Sequence, residues 1–316
     1  MRFAGMHVAL LHNPDAGSGA HSSAELAHLL ERAGHQVQSA TIGPESLRAV
    51  REQPPDVVLA AGGDGTARKV ALALAGTEVS MSILALGTAN NLARTFGLLH
   101  CAERTIRELA SYPARAIDVG VARGPWGEKR FVEGFGVGLF ADYLDLLESP
   151  EFAFSPEALL DEGRERDLAV LGRLLPHFAS RAWSIRADGV EFDGSYFLVE
   201  ALNIQSIGPF AQLVPEADPG DGQLDLVLLA ERDRAAMATY LAALDEDEDS
   251  SAPFSTRRCR NLELRWCLVE NVHLDDGFEA VGEDDAEVKI ELSVLPGAVR
   301  MLCPGTDGVS PGENRM

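Results

Sequence analysis

Short apolar runs alternate with segments of helical periodicity along the first part of the chain. The strand-like runs lie at residues 7–11, 36–42, 56–61 and 81–86. The helical patterns lie at residues 20–33, after Pro44, at 67–75 and at 89–95. Because strands that alternate with helices are typical of a parallel sheet, an α/β fold is predicted for this part.

The pattern changes after Ile117 to an alternation of period two. Residues 183–187 and 190–192 flank Asp188-Gly189, a dipeptide typical of a tight hairpin turn. Further strands are predicted at residues 195–202, 224–229, 262–268 and 286–294. The second half is therefore predicted to be a mainly β sandwich, with a domain boundary near residue 120.

Two charged segments interrupt this second half. Residues 148–181 are charged and helical in pattern, and residues 245–249 form an unbroken acidic run. Both are expected to be solvated insertions on the surface. The last dozen residues, rich in Gly, Pro and Ser, are expected to be a frayed tail.

Composition excludes several classes of protein. The chain has 316 residues, 46% of them hydrophobic, and a formal net charge of −22. Such a charge opposes binding to nucleic acid or to anionic membranes, so membrane contact is expected to be peripheral at most. The apolar runs are too short to span a bilayer, and the start of the chain lacks a signal-peptide pattern. A cytoplasmic protein is expected, with at most transient contact at the inner membrane surface.

The four scattered cysteines predict neither a zinc site nor a disulfide framework.

A glycine-rich segment, Gly62-Gly63-Asp64-Gly65-Thr66, lies directly after a strand and directly before a helix. Ligands bind α/β sheets at this position. Glycine allows close approach of the backbone, and the amides at a helix start favour an anionic phosphate. The segment is therefore a candidate nucleotide-binding loop, although a tight connection without a ligand would have the same sequence.

Asp64 changes the chemistry expected of this loop. A carboxylate among phosphates is repulsive unless a divalent cation bridges them or the carboxylate polarises a nearby hydroxyl. Magnesium is therefore the expected companion ion.

Two more polar loops follow strands of the same predicted sheet. Residues 13–19 follow the first strand, and residues 87–94 follow the fourth. Alone, the former would be read as a polar turn and the latter as a helix start capped by Thr88. Because all three loops follow parallel strands, they are expected at one edge of the sheet, around one crevice.

The three segments NPDAGSG, GGDGT and GTANNLAR resemble, in this order and spacing, the signatures of the diacylglycerol kinase catalytic family. This family includes sphingosine kinases, ceramide kinases and bacterial lipid kinases, and its fold is related to that of NAD kinases. The resemblance implies that ATP binds, with Mg²⁺, at a set of residues in these loops. They are Asn13, Gly62, Gly63, Asp64, Gly65 and Thr66, with Thr88 and Asn90 lining the same cleft.

Residues 215–225 resemble the P-x5-DGxLD segment of the family. In bacterial members this segment holds a structural magnesium ion. The resemblance implies that Asp221 is the side-chain ligand and that Asp218 and Gln223 offer backbone oxygens. A β-turn leading into a strand is equally compatible with the sequence. Upstream, residues 203 and 208–210 resemble a substrate-pocket segment, from whose glycine run Pro209 and Phe210 depart.

The family also places a general base in a DGE turn. Val281-Gly282-Glu283 has the matching spacing to Pro296 but lacks the aspartate before Gly282. Asp275-Asp276-Gly277 has the aspartates but is followed by Phe278. Glu283 is the preferred base because the side-chain type matters most to proton transfer, and the turn at Asp276 stays open as the alternative.

These observations predict a two-domain phosphotransferase with an alcohol group as acceptor. Residues 1–120, completed by about 298–316, form the nucleotide-binding α/β domain, and 121–297 form the β-rich substrate domain. The predicted reaction transfers the γ-phosphate of ATP to a hydroxyl of diacylglycerol or a related lipid alcohol. Asp64 organises the metal and phosphates, and Glu283 removes the proton.

Two alternative functions stay open. One is an enzyme like NAD kinase, and the other is a catalytically inactive nucleotide-binding regulatory protein. The sequence fixes neither the acceptor alcohol nor the oligomeric state, for which a homodimer is one option.

Overall fold

The computed structural model describes residues 5–17, 21–160, 163–208, 211–246, 250, 252–283 and 286–305. The chain forms two compact units. The first is made of two segments, one ending at Ile117 and one beginning at Gly297, and the second comprises Asp118–Pro296. Some expectations concern residues outside this description. They are those for Ser18 and Gly19 of the first loop, Ala20, residues 161–162 of the charged segment, Pro209, Phe210, residues 247–249 of the acidic run and the tail beyond residue 305.

The first unit contains a parallel sheet with helices on both faces. Its elements are β1 (His7–His12), α1 (Ser23–Arg32), β2 (Gln36–Thr41), α2 (Pro44–Glu52), β3 (Val57–Gly62), α3 (Asp64–Leu74), β4 (Ser80–Ala85), α4 (Asn91–Thr95), α5 (Ala102–Glu108) and a 3₁₀ turn (Leu109–Ser111). The strand order is β4-β3-β1-β2, all parallel. Arg300 and Met301 pair in parallel with β4 at its free edge.

Local sequence accounts for several of these boundaries. Ser22 caps α1 through a capping box with Glu25, and Pro44 begins α2 at its first turn. All six residues of β3 are buried because helices cover both faces of the sheet. The apolar core of this unit lies between the sheet, α1 and α5.

The strand order creates a switch point between β1 and β3. From β1 the chain moves to β2, and from β3 it moves the opposite way to β4. Because such crossovers are right-handed, α1 lies on one face of the sheet and α3 on the other. The observed packing agrees, since α1 contacts α5 whereas α2 contacts α3. A crevice for ligands opens at the carboxyl ends of strands at such a point.

The second unit is mainly antiparallel β structure. Its elements are β5 (Ala114–Gly124), β6 (Gly127–Phe131), β7 (Gly134–Gly138), α6 (Leu139–Glu148), α7 (Arg164–Leu174), β8 (Arg181–Ala182), β9 (Ser184–Ala187), β10 (Val190–Phe192), β11 (Ser195–Leu202), β12 (Leu224–Ala230), α8 (Arg234–Glu246), β13 (Thr256–Cys259), β14 (Asn261–Trp266), β15 (Glu270–Leu274), β16 (Gly277–Val281) and β17 (Val288–Leu302), with 3₁₀ turns at Phe152–Phe154, Pro156–Leu159, Leu175–His177 and Glu231–Asp233. The chain passes between the units within β5 and within β17.

Two sheets of this unit enclose one core. One sheet has the order β10-β9-β14-β17, and the other has the order β13-β12-β11-β7-β15-β16. Apolar side chains of both sheets, such as Ile185, Leu264, Val137 and Val199, form the core between them. The prediction of an α/β first part and a β sandwich in the second is therefore confirmed.

Helices cover the outer face of the second sheet. Side chains of α6, α7 and α8 pack with Phe197 and Leu198 of β11 in a second apolar cluster. As a result β11 is buried on both faces, apart from Ser195 at its start. Within the described residues, none of the helices has the length and hydrophobicity needed to cross a membrane.

The expectation that residues 148–181 form a solvated insertion is wrong for α7. Val170 is fully buried and Leu171 is 5% exposed, because this face of α7 packs in the helical cluster. The charged residues that suggested a surface segment include Asp167, which is itself buried beside Arg166. Charge content alone therefore did not indicate which face of the helix is covered.

We expect Leu171→Ala to lower the free energy of unfolding of the second unit by about 2–5 kcal/mol, the usual effect of truncating a buried leucine. Leu268→Ala is the matched control, since Leu268 is 64% exposed in the same unit. Its effect is expected to stay within about 0.5 kcal/mol. Urea unfolding of the two variants measures the difference, and equal midpoints would show that α7 does not contribute to the core.

Candidate active site

Three loops of the first unit meet at the carboxyl edge of its sheet. They follow β1, β3 and β4, which are neighbours in the order β1-β3-β4. The N–H of Asn13 donates to the Ala61 carbonyl at 2.9 Å, and the N–H of Leu86 donates to the Gly62 carbonyl at 3.0 Å. The parallel ladders thus continue into the loops and hold their first residues in register.

Glycines let the backbones of these loops touch. A Cβ atom on Gly87 would lie 2.5 Å from the Cα of Gly63. Gly17 has a φ of +66°, and a Cβ there would lie 2.2 Å from the carbonyl oxygen of Leu86. Real Cβ atoms do not approach backbone atoms this closely, so any side chain here would push the loops apart. The structure brings together residues 13–17 of the first segment with the second and third segments that the sequence singled out.

Asp64 joins the second of these loops to the third. It is the first residue of α3, and its Oδ1 accepts a hydrogen bond from the N–H of Leu92 at 2.9 Å. Leu92 lies in the first turn of α4, whose N-cap residue gives the helix no side-chain hydrogen bond. The carboxylate therefore supplies a cap from another loop, a charge-assisted contact. Sequence reasoning assigned Asp64 to metal and phosphate and missed this contact.

Asn90, not Thr88, is the N-cap residue of α4, and its backbone is left-handed with a φ of 52°. Its Oδ1 accepts the N–H of Gly87 at 3.0 Å, and its Nδ2 donates to the carbonyl of Gly87 at 2.6 Å. The amide of Asn90 thus closes its own loop. Asn13 acts similarly, since its Oδ1 accepts the N–H of Asp15 at 3.2 Å.

The start of α3 has the features of an anion site. Its N-cap is Gly63, which has no side chain to satisfy the amides of the first turn. Thr66 is 4% exposed, and a Cβ on Gly62 would lie 2.3 Å from its Oγ1, so that side chain packs back onto β3. Helix amides at a glycine cradle favour a phosphate. The residues present therefore fit a phosphate group such as those of a nucleotide triphosphate.

A cavity of about 220 Å³ lies beside the third loop, lined in part by Ala16, Gly87 and Cys101. His100 also lines it, and burial lowers the pKa of this histidine. Sites for drug-sized ligands usually measure about 300–1,000 Å³. The cavity alone is therefore too small to hold a whole nucleotide.

In the second unit, Asp118 organises the loop of residues 218–222. It is fully buried, and its Oδ2 accepts the N–H of Gly222 at 2.6 Å. Its own N–H donates to the carbonyl of Pro219 at 2.7 Å. Asn203 is buried nearby, and its Nδ2 donates to the carbonyls of Asp118 and Val132. Sequence reasoning missed Asp118, although a lone acid within the apolar run 117–122 was a usable signal.

Asp221 contacts donors of the protein itself. Its Oδ1 accepts the N–H of Gln223 at 2.9 Å. Nη1 of Arg258 lies 3.5 Å from its Oδ2, and Nε of Arg258 lies 3.7 Å from Oδ1 of Asp225. Burial raises the pKa of Asp225, and Arg258 opposes that shift. The guanidinium of Arg258 thus lies within ion-pair distance of both Asp221 in the loop and Asp225 in β12.

The implied set of magnesium ligands does not fit this arrangement. The Asp221 carboxylate, the one side-chain ligand of that set, lies 3.5 Å from the Arg258 guanidinium and accepts the N–H of Gln223. Mg²⁺ demands an octahedron of oxygens at about 2.1 Å, and a fixed positive charge beside it is repulsive. Among the described residues, no group of three or more His, Cys, Asp or Glu is arranged to hold a metal ion.

The two candidates for the general base lie in different places. Asp275 and Asp276 form the turn between β15 and β16, and Glu283 follows Gly282 beyond the end of β16. The Asp275 carboxylate is buried and accepts the N–H groups of residues 132, 133 and 134. It therefore anchors backbone, whereas Asp276 and Glu283 are exposed to solvent. The assignment of Glu283 stays a prediction.

Comparison with known proteins agrees with this description. The diacylglycerol kinase catalytic domain matches residues 7–122, and the YegS C-terminal NAD kinase beta sandwich-like domain matches residues 166–303. A protein of Pseudomonas aeruginosa named "Probable lipid kinase YegS-like" is 30% identical over 249 residues, 78% of this chain and 76% of that protein. Diacylglycerol kinase of Bacillus subtilis is 26% identical over 235 residues, 70% of this chain and 72% of that protein.

The fold is also that of a solved kinase structure. The crystal structure of a diacylglycerol kinase from Bacillus anthracis has a TM-score of 0.66 to this chain at 17% identity, covering 94% of this chain and 96% of that one. The three-loop sheet edge and the β sandwich are the fold of a two-domain kinase. The chain belongs to the diacylglycerol kinase catalytic domain family, and this membership supports a phosphotransferase.

We expect Asp64→Ala to lower the free energy of unfolding by about 1–3 kcal/mol, because the Leu92 amide loses its acceptor. Asp64→Asn keeps an oxygen at this position and is expected to lose less than half as much. Urea unfolding measures both variants, and hydrogen exchange at the Leu92 amide is expected to accelerate in the alanine variant only. Equal protection of Leu92 in all three proteins would contradict the capping role.

Proposed function

We propose that the protein transfers the γ-phosphate of ATP to a hydroxyl of diacylglycerol or a related lipid alcohol. The observation that most supports this proposal is that three loops meet at the switch point of a parallel sheet. Their glycine backbones are in contact, and the start of α3 lies beside them. Such an edge fits a triphosphate. Relatives named as diacylglycerol and lipid kinases support the acceptor class.

The proposed roles of the residues follow from where each lies. Bound ATP would supply the phosphoryl group, and its Mg²⁺ would neutralise the phosphates. Gly62, Gly63, Gly65 and Thr66, with the amides of the first turn of α3, would hold the phosphate chain. Asp64 would stand at the metal-phosphate end while its Oδ1 holds the Leu92 amide. Catalysis would come mainly from positioning and charge neutralisation.

Asn13, Thr88 and Asn90 would shape the nucleotide site in this proposal. Asn90 fixes Gly87 through both ends of its amide, so its contribution would be the form of the loop. Glu283 would accept the proton of the attacking hydroxyl as general base, and its exposed side chain is open to an incoming acceptor.

The net charge of the chain bears on the acceptor. With a formal charge of −22 the protein is repelled by anionic lipid surfaces. An uncharged acceptor such as diacylglycerol avoids a further repulsion in the site. The proposal is therefore a cytoplasmic enzyme with peripheral and transient contact at the membrane, which does not bind nucleic acid.

A second candidate is a nucleotide-binding protein without transfer activity. The observation that favours it is the β15–β16 turn, where Phe278 follows Asp276-Gly277 and no acid stands at that position. Nucleotide binding without phosphate transfer to any acceptor is the outcome that would support it.

The test of the proposal is incubation with γ-labelled ATP, Mg²⁺ and a total lipid extract, with a parallel reaction containing NAD⁺. We expect label in a lipid identified by mass spectrometry as the phosphate ester of an alcohol. Label on NAD⁺ instead would favour the NAD kinase alternative, and the absence of transfer would favour the inactive one. Asp64→Asn serves as the control expected to lack transfer.

We expect Glu283→Gln to lower kcat about 10²–10⁴-fold, the usual contribution of a general base. The affinity for ATP should stay unchanged because the substitution removes only the proton acceptor. Asp276→Asn is the matched change at the rival turn, and its kcat is expected to stay near that of the wild type. The reverse ranking of the two variants would transfer the base to the β15–β16 turn.

A further inference from the structure

We propose that Arg258 supplies, from within the chain, the positive charge that the family resemblance assigns to a structural magnesium ion. The second unit is then stable without a divalent cation at the loop of residues 218–222. This inference does not depend on the reaction that the protein catalyses. It rests on the position of one guanidinium between two carboxylates and on the strand pairing that places it there.

The carboxylates of Asp221 in this loop and of Asp225 in β12 need a cation nearby. The side chains of Asp221 and Asp225 are 19% and 7% exposed. Ionised carboxylates this poorly hydrated are costly unless they are paired or hydrogen-bonded. The half-exposed guanidinium of Arg258 lies 3.5 Å from one and 3.7 Å from the other, and it supplies a positive charge to both.

The pairing of β13 with β12 determines which face of the sheet carries the Arg258 side chain. In the β12–β13 ladder Arg258 stands directly opposite Asp225, and Cys259 stands opposite Leu224. Cys259 and Leu224 are both buried in the core between the sheets. Because successive residues of a strand point to opposite faces, core packing of Cys259 directs Arg258 to the outer side.

The neighbouring arginine provides a natural comparison. The guanidinium of Arg257 lies 5.0 Å from the ring centroid of Phe192, on the side of the sheet that carries Cys259. Arg257 and Arg258 thus have the same chemistry and adjacent positions but different partners. Removal of either charge changes the net charge of the chain equally.

A cation built into the chain also disfavours a bound one. A divalent ion at the Asp221 carboxylate would stand beside the Arg258 guanidinium, 3.5 Å from the same carboxylate, and like charges at such distances repel. An ion that binds only the folded protein raises the free energy of unfolding by RT ln(1 + [ion]/Kd). The unfolding temperature of the protein then rises with the concentration of the ion. The dependence of unfolding on Mg²⁺ therefore reports whether this site takes a metal.

The experiment is thermal unfolding of the nucleotide-free protein in EDTA and in millimolar MgCl₂. The wild-type midpoint is expected to be the same in both. Arg258→Gln should unfold about 2–4 °C lower in EDTA and should recover in MgCl₂, because the freed carboxylates then accept the ion. Arg257→Gln, the matched control, should show no response to Mg²⁺.

A wild-type midpoint that rises in MgCl₂ and loses this rise in Asp221→Asn would overturn the proposal. So would an Arg258→Gln variant that unfolds at the wild-type temperature in EDTA. If Arg258→Gln fails to fold, Arg258→Lys decides the question, since it keeps the charge. That variant should fold and should be insensitive to Mg²⁺, and a requirement for Mg²⁺ would refute the inference.

Discussion

Carboxylates that accept backbone N–H groups from distant segments hold the loops of this protein. Asp64 binds the amide of Leu92, Asp118 binds the amide of Gly222, and Asp275 binds amides of residues 132–134. Each contact is charge-assisted, and each fixes a loop whose conformation local sequence leaves undetermined. The glycine contacts of the nucleotide edge require such anchors, because glycine backbone alone would be free to separate.

Much of the architecture could be predicted from the sequence. Apolar runs bounded by turn residues indicated β1 to β4 of the first unit, and the Asp188-Gly189 turn is a hairpin with a positive φ at both residues. The three candidate loops were placed at one edge because parallel strands end together. These predictions succeed because they depend on local periodicity and on a general rule of sheet geometry.

The contacts made by charged side chains could not be predicted in the same way. Asp64 and Leu92 are 28 residues apart and Asp118 and Gly222 are 104 apart, so no local pattern connects them. Helix α7 shows the related difficulty, because its acidic and basic residues suggested solvent while Val170 and Leu171 are buried. A charged helix such as α7 is buried when it is the element that covers an apolar face of a sheet. Whether it does so depends on the arrangement of the whole second unit and cannot be read from the helix alone.

The acidic loop of the second unit shows how apolar packing determines electrostatics. Leu224 and Cys259 are buried opposite each other, and this pair sets the register of β12 against β13. A slip of β13 by one residue would turn Cys259 out of the core and turn Arg258 to the face that Arg257 now occupies. The energy that holds the guanidinium beside Asp221 and Asp225 is therefore largely hydrophobic in origin. An ion from solution has no such attachment, so its occupancy would follow its concentration, whereas the charge of Arg258 is present whenever the strand is paired.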